Sequence, residues 1–186
     1  MNIFVVGGAT NYANFIEGAQ LVDNPEKADV VLFTGGEDVD PSLYGCEKHP
    51  HTYSNIKRDL EEKTVFEKVN PSKQVCVGIC RGSQFLCVMN GGLLVQDCGN
   101  HAIGYTHGIT NGDMIYQITS THHQMQYPYN LNQKDYSLLY IADRRRSPIY
   151  DGVGIDEEKI DRFGEPEIVL YHKEGLLLLS AIYRRL

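Results

Sequence analysis

No apolar run in this 186-residue chain approaches the roughly 20 residues that a membrane-spanning helix needs, so no membrane role is expected. Residues 1–6 carry no basic leader and no cleavage site, and they read as a strand rather than a secretion signal. The five cysteines are odd in number and include no Cys-x-x-Cys pair. That pattern argues against a disulfide framework and for free thiols in a reducing compartment, which points to the cytoplasm. Positive charge is also scarce. The net charge is -7, and Arg144, Arg145 and Arg146 form the one basic run, which reads as a solvated turn. Nucleic-acid binding is therefore not expected. With 42% apolar residues, the chain suits one domain, 1–186, around a single sizeable core.

What is present is a series of short apolar segments closed by glycine. Residues 3–6 read as a strand ending at Gly7 and Gly8, residues 12–19 as a short helix, and residues 20–22 as a second strand broken by Asn24 and Pro25. Residues 28–33 are apolar apart from Asp29, which suits a parallel strand covered on both faces, and Gly35 and Gly36 end it. A glycine turn at the carboxyl end of such a strand is the usual place for a ligand. Residues 37–55 read as a loop at a pocket mouth. His49 and His51 lie in it, but a Pro-interrupted loop is a poor metal-ligand pattern, so neither metal nor cofactor is expected. Ile56, Leu60, Val65, Phe66 and Val69 give residues 56–69 an amphipathic helical rhythm, with the charges between them forming a wet face.

The centre of the chain is the stretch from Val75 to Leu86. A small apolar strand leads to Cys80, set between Gly78 and Gly82, and a helix follows over residues 83–89. This is the pattern of a nucleophile elbow: a side chain held at a sharp strand-to-helix turn needs small neighbours two residues away on each side. The helix start supplies unpaired N–H groups and partial positive charge, which favour a thiolate and can receive an oxyanion. Cys76, Cys87 and Cys98 lack such flanks and read as packed thiols. Asn90, Gly91 and Gly92 end the helix, residues 93–96 resume a strand, and residues 114–119 alternate as another.

The stretch from Gly78 to Gln84 resembles the nucleophile motif of class I glutamine amidotransferases. Thr34, Gly35, Gly36, Glu37, Asp38, Val39, Asp40 and Pro41 resemble a signature of their gamma-glutamyl hydrolase (peptidase C26) branch. Arg58, Asp59 and Glu62, then Gly91, Gly92, Gln96 and Asp97, and finally Ser120, Thr121, His122, His123 and Gln124 fit later segments of that branch, with Thr119 where an asparagine is usual. The resemblance implies an α/β fold, a three-layer flavodoxin-like sandwich with a mostly parallel central sheet. It implies cysteine-dependent hydrolysis of a gamma-glutamyl amide through a glutamyl thioester. A separate synthetase subunit is a possible partner. Cys80 would be the nucleophile, the N–H groups of Gly36 and Arg81 the oxyanion hole, and Gln84, Ser120, His122, His123 and Gln124 the binding groups for the glutamyl part.

The family's acid–base pair comes from a late His-Pro-Glu, and here two registers compete. In one, His172 is the base and Glu174 its orienter, with a helix over residues 176–185. In the other, Glu165, Pro166, Glu167, Ile168 and Val169 belong to the penultimate strand and residues 171–175 form a hairpin turn. Residues 176–181 are then the last strand, and Ile182 falls where the histidine belongs. The run of four leucines lacks a 3.6-residue rhythm and favours the second. Two alternatives to hydrolysis follow: a member that binds a glutamyl ligand or partner without turning it over, and a cysteine elbow of the related protease and chaperone families. The Asp-Val-Asp-Pro and His-His-Gln segments argue against the latter.

Overall fold

The structure is a computed structural model that describes residues 1–102, 106–119, 121–143, 147–150, 154–173 and 176–181. Eleven strands are described: β1 (Asn2–Val5), β2 (Gln20–Leu21), β3 (Val30–Phe33), β4 (Val75–Ile79), β5 (Leu93–Val95), β6 (Thr106–Thr110), β7 (Ile115–Thr119), β8 (Met125–Tyr127), β9 (Tyr136–Ala142), β10 (Pro166–Lys173) and β11 (Leu176–Ala181). The α-helices are α1 (Ile56–Phe66), α2 (Arg81–Met89) and α3 (Glu157–Phe163). Nine strands form one sheet in the order β2-β1-β3-β4-β11-β10-β9-β6-β7, and β5 and β8 pair separately.

The sheet has two halves. From β2 to β11 the neighbours are parallel, and from β11 to β7 they are antiparallel. The continuously apolar β3 sits between β1 and β4 with all four residues buried. Its side chains alternate between the two faces of the sheet, as a strand must. Val31 and Phe33 join Phe85 and Leu86 of α2 in one core, where the Phe33 and Phe85 rings stack at 5.2 Å. Val30 and Leu32 join Ile3, Val5 and Ala13 on the other face, under a 3₁₀ segment, Thr10–Phe15, where a short helix was expected.

One expectation is corrected here, and one open choice is decided. Helix α1 forms, but only the later part of its expected apolar face is covered: Val65 and Phe66 pack against the core, whereas Ile56 and Leu60 are 41% and 52% exposed and Asp59 and Glu62 are 0% and 2% exposed. The buried acids are there because Arg81 lies against them. In the last third, β10 and β11 form an antiparallel hairpin with His172 opposite Leu177. β11 then runs parallel to β4, with Leu178 opposite Cys76 and Ala181 opposite Ile79. This is the second register. His172 is level with the start of β4, about five residues or roughly 17 Å along the strand from Cys80 at its far end.

Candidate active site

Cys80 caps the start of α2 with φ 54° and ψ -116°, a conformation rare for a residue with a side chain. The glycines around it are needed by close approach. A Cβ at Gly78 would lie 2.6 Å from the Ser83 nitrogen and still nearer the Gly82 carbonyl, and one at Gly82 would strike the Phe33 carbonyl. The turn is thus pressed between its own helix and β3. Ser83 locks it by donating its hydroxyl to the Cys80 carbonyl at 2.6 Å. Burial pushes the Cys80 thiol above its ordinary pKa, and the Asp38 charge adds to this, while the Arg81 N–H and charge pull it part of the way back.

The Arg81 side chain points away from the sulfur, into the protein. It pairs with both Asp59 and Glu62 of α1 and anchors the elbow to that helix. Glu62 also accepts from Arg58 Nε at 2.9 Å, and Arg58 Nη2 donates to the Gly35 carbonyl at 3.0 Å. One chain of charge therefore runs from the elbow through α1 to the Gly35–Gly36 turn. Gly36 has φ 145°, and a Cβ there would meet the Arg58 guanidinium. This turn and Cys80 line one cleft of about 210 Å³, together with Asp38, Tyr53, Arg81, Gln84, Thr121, His122 and His123.

The two histidines have opposite environments. His122 is buried. Its Nδ1 is 2.8 Å from the Gln124 carbonyl, a contact that places the proton on Nδ1, and burial pushes its pKa down to about 4, so it is neutral. Gln84 Nε2 donates to the same carbonyl at 2.9 Å. His123 is half-buried, with Nε2 3.1 Å from Asp38 Oδ2 and Nδ1 3.7 Å from Asp97 Oδ1. The hydrogen bond to Asp38 raises its pKa, against the effect of burial. Asp97 also meets His51 Nδ1 at 2.5 Å, which folds the 37–55 loop over the cleft mouth.

Of the residues expected at the site, Cys80, Gly36, Arg81, Gln84, His122, His123 and Gln124 are brought together around this cleft and its wall. His172 is not. It is exposed, and its Nε2 lies 2.9 Å from Ser137 Oγ of the neighbouring strand. Glu174 and Ser120 lie outside the described residues, as does Ile182.

Three buried groups were missed by the sequence reading: His101, His107 and the acids Glu165, just before β10, and Glu167 within it. Their one signal was two acids at a spacing of two residues in an otherwise apolar strand, which puts both on one face.

The family profile described as Peptidase C26 matches residues 17–137. The chain belongs to the Peptidase C26 family. Among curated proteins, NtpR of Enterococcus hirae is 34% identical over 73 residues, covering 39% of this chain and 30% of that protein. The glutamine amidotransferase-like protein YvdE homolog of Lactococcus lactis subsp. cremoris is 39% identical over 71 residues, covering 37% of each. The chain thus spans about a third of the length of these relatives. Among solved structures, a protein described as a GMP synthase subunit from Thermoplasma acidophilum superposes with a TM-score of 0.58 at 13% identity, covering 97% of this chain and 82% of that one. PurLQS from Thermotoga maritima gives 0.52 at 14% identity, covering 97% and 84%. At such identities the likeness is one of fold, and it places this C26 member in the flavodoxin-like architecture of the amidotransferases. Among the described residues no helix is long and apolar enough to cross a membrane.

Proposed function

We propose that this C26 chain carries out glutaminase-type chemistry, with the Cys80 cleft binding a gamma-glutamyl amide and Cys80 taking up the glutamyl group. The observation that carries the reading is the strained Cys80 elbow facing the Gly36 turn across one cleft. The sulfur attacks the gamma-carbonyl carbon, and the N–H groups of Gly36 and Arg81 receive the developing oxyanion. The carbon–nitrogen bond breaks as the amine takes up a proton, leaving a glutamyl thioester. Water then releases glutamate and restores the thiol. Gln84, Thr121, His122, His123 and Gln124 line the side of the cleft that reads the substrate's amino-acid end.

With His172 remote, the proton carrier is His123. Its Nε2 is oriented by Asp38, and its ring lines the same cleft as Cys80, on the side where the thiol and the leaving amine exchange protons. His122 does not suit the task, because its Nδ1 is held by the Gln124 carbonyl and the ring is buried. Likeness to PurLQS and to the GMP synthase component supports a variant in which the released ammonia passes to a separate synthetase polypeptide.

The test is incubation with glutamine and with simple gamma-glutamyl amines, following glutamate release and the intact protein mass. Turnover that vanishes in Cys80→Ala and falls about 10²- to 10⁴-fold in His123→Ala is expected. Absence of both glutamate and a glutamyl adduct removes the reading. The remoteness of His172 favours one second reading, a cleft that binds the glutamyl ligand without turnover, for which calorimetry would detect glutamine binding to an inert protein.

A further inference from the structure

Behind the wall of the Cys80 cleft, four buried side chains from four separate segments converge: His101 after β5, His107 of β6, His122 before β8 and Glu167 of β10. We propose that they form a binding site for one divalent transition-metal ion of the zinc class.

The ligand atoms of His101, His107 and Glu167 all lie within 4.8 Å of one another, and His122 approaches this trio from the Glu167 Oε2 side. His101 Nδ1 lies 3.2 Å and His107 Nε2 3.0 Å from Glu167 Oε1, and His122 Nε2 lies 3.8 Å from Glu167 Oε2. Donor atoms each about 2.0–2.1 Å from a tetrahedral zinc stand about 3.3 Å apart. The three imidazole centroids are 4.8, 5.3 and 6.4 Å from one another, so the rings form one cluster.

Hydrogen bonding alone leaves the cluster incomplete. His122 Nε2 and Glu167 Oε2 are both buried without a hydrogen bond, and at 3.8 Å they are too far apart to bond to each other. Two orphaned acceptors face each other there, since the proton of His122 is on Nδ1. A cation between them satisfies both, where a proton satisfies one.

The outer partners are those that metal-bound histidines use. His101 Nε2 lies 2.9 Å from Glu165 Oε2, and Glu165 is itself held by the Ser147 N–H and hydroxyl. His122 gives its Nδ1 proton to the Gln124 carbonyl. A carboxylate or carbonyl on the far nitrogen fixes ring and tautomer for a metal on the near one. Two carboxylates, Glu165 and Glu167, are buried beside these imidazoles, and buried charge of one sign calls for a compensating cation. An irregularity in the pairing of β10 with β9 on either side of Ile168 accompanies the inward placement of Glu165, Pro166 and Glu167. Imidazole nitrogen with a single carboxylate selects zinc, cobalt or nickel over magnesium or calcium. All four donors come from protein, so the ion is structural. It fixes His122, and through the Gln124 carbonyl it fixes Gln84 at the cleft wall.

The experiment uses the untagged full chain, refolded with Co(II) because the ligands are buried. One cobalt per chain with the visible absorption of a tetrahedral site is expected, displaced by Zn(II). X-ray absorption of the wild-type complex should show three imidazoles bound to the ion. Glu165→Gln should weaken binding about 10- to 100-fold. His51→Ala should leave stoichiometry unchanged, which separates this site from the exposed group of His49, His51 and Asp97. No bound cobalt, an ion with fewer than three imidazoles, or cobalt lost in His51→Ala overturns the proposal. The spectra are read on the wild type, so they hold whether or not a variant folds. They are also independent of glutamate release.

Discussion

The sulfur of Cys80 is poised by two opposing influences, and its chemistry is readable from their balance. The helix start and the Arg81 N–H favour the thiolate, yet burial and Asp38 prevail and keep it a thiol at neutral pH. Alkylation by iodoacetamide, followed by peptide mass analysis, should therefore rise with pH through a midpoint above the ordinary cysteine value of about 8.5. A midpoint below it would mean that an unaccounted cation faces the sulfur. The same balance sets the pH dependence of turnover. Neutral His123 must accept the thiol proton, and its pKa is raised, so the rising limb should lie above the ordinary histidine value of about 6.5. Asp38→Asn removes the carboxylate charge that helps to raise it and should move that limb to lower pH. A limb that stays put would exonerate Asp38 as the orienting group.

At the scale of elements, α1 is organised by Arg81 more than by its own apolar rhythm. A guanidinium buried at the elbow needs two carboxylates to neutralise and bond it, and α1 turns Asp59 and Glu62 inward to supply them while Ile56 and Leu60 face water. Glu62→Ala leaves Arg81 and Arg58 each short of a partner in the interior. A stability loss of about 3–5 kcal/mol is expected, read from urea unfolding, along with loosening of the Gly35–Gly36 turn. The β10–β11 hairpin carries the opposite prediction. His172 is exposed at the end of the sheet away from the elbow, so His172→Ala should leave glutamate release unchanged and stability within about 0.5 kcal/mol. A large loss of turnover would mean that β11 pairs with β4 in another register. That register was open in the sequence because a leucine run suits a strand without saying which residue stands opposite which.

Across the whole molecule, the parallel half of the sheet holds the nucleophile and the antiparallel half holds the histidine and carboxylate cluster, with β11 joining them. Hydrogen exchange should find the slowest amides in β3 and β4, which are paired on both sides beneath α2, and the fastest among strands in β2 and β7 at the two edges. Equal protection at the edges would indicate that they are covered by further chain or a partner. The elbow, the glycine turn and the parallel strands were legible from residues in order because their causes are local: a cysteine between glycines needs only its immediate neighbours to be forced into the turn. The inward turn of Asp59 and Glu62 on α1 and the convergence of His101, His107, His122 and Glu167 were decided by tertiary structure alone, and the register that removes His172 from the sulfur, which the leucine run favoured, was fixed there. Each depends on strand register or on side chains meeting from segments tens of residues apart, and a linear pattern carries no term for such distances.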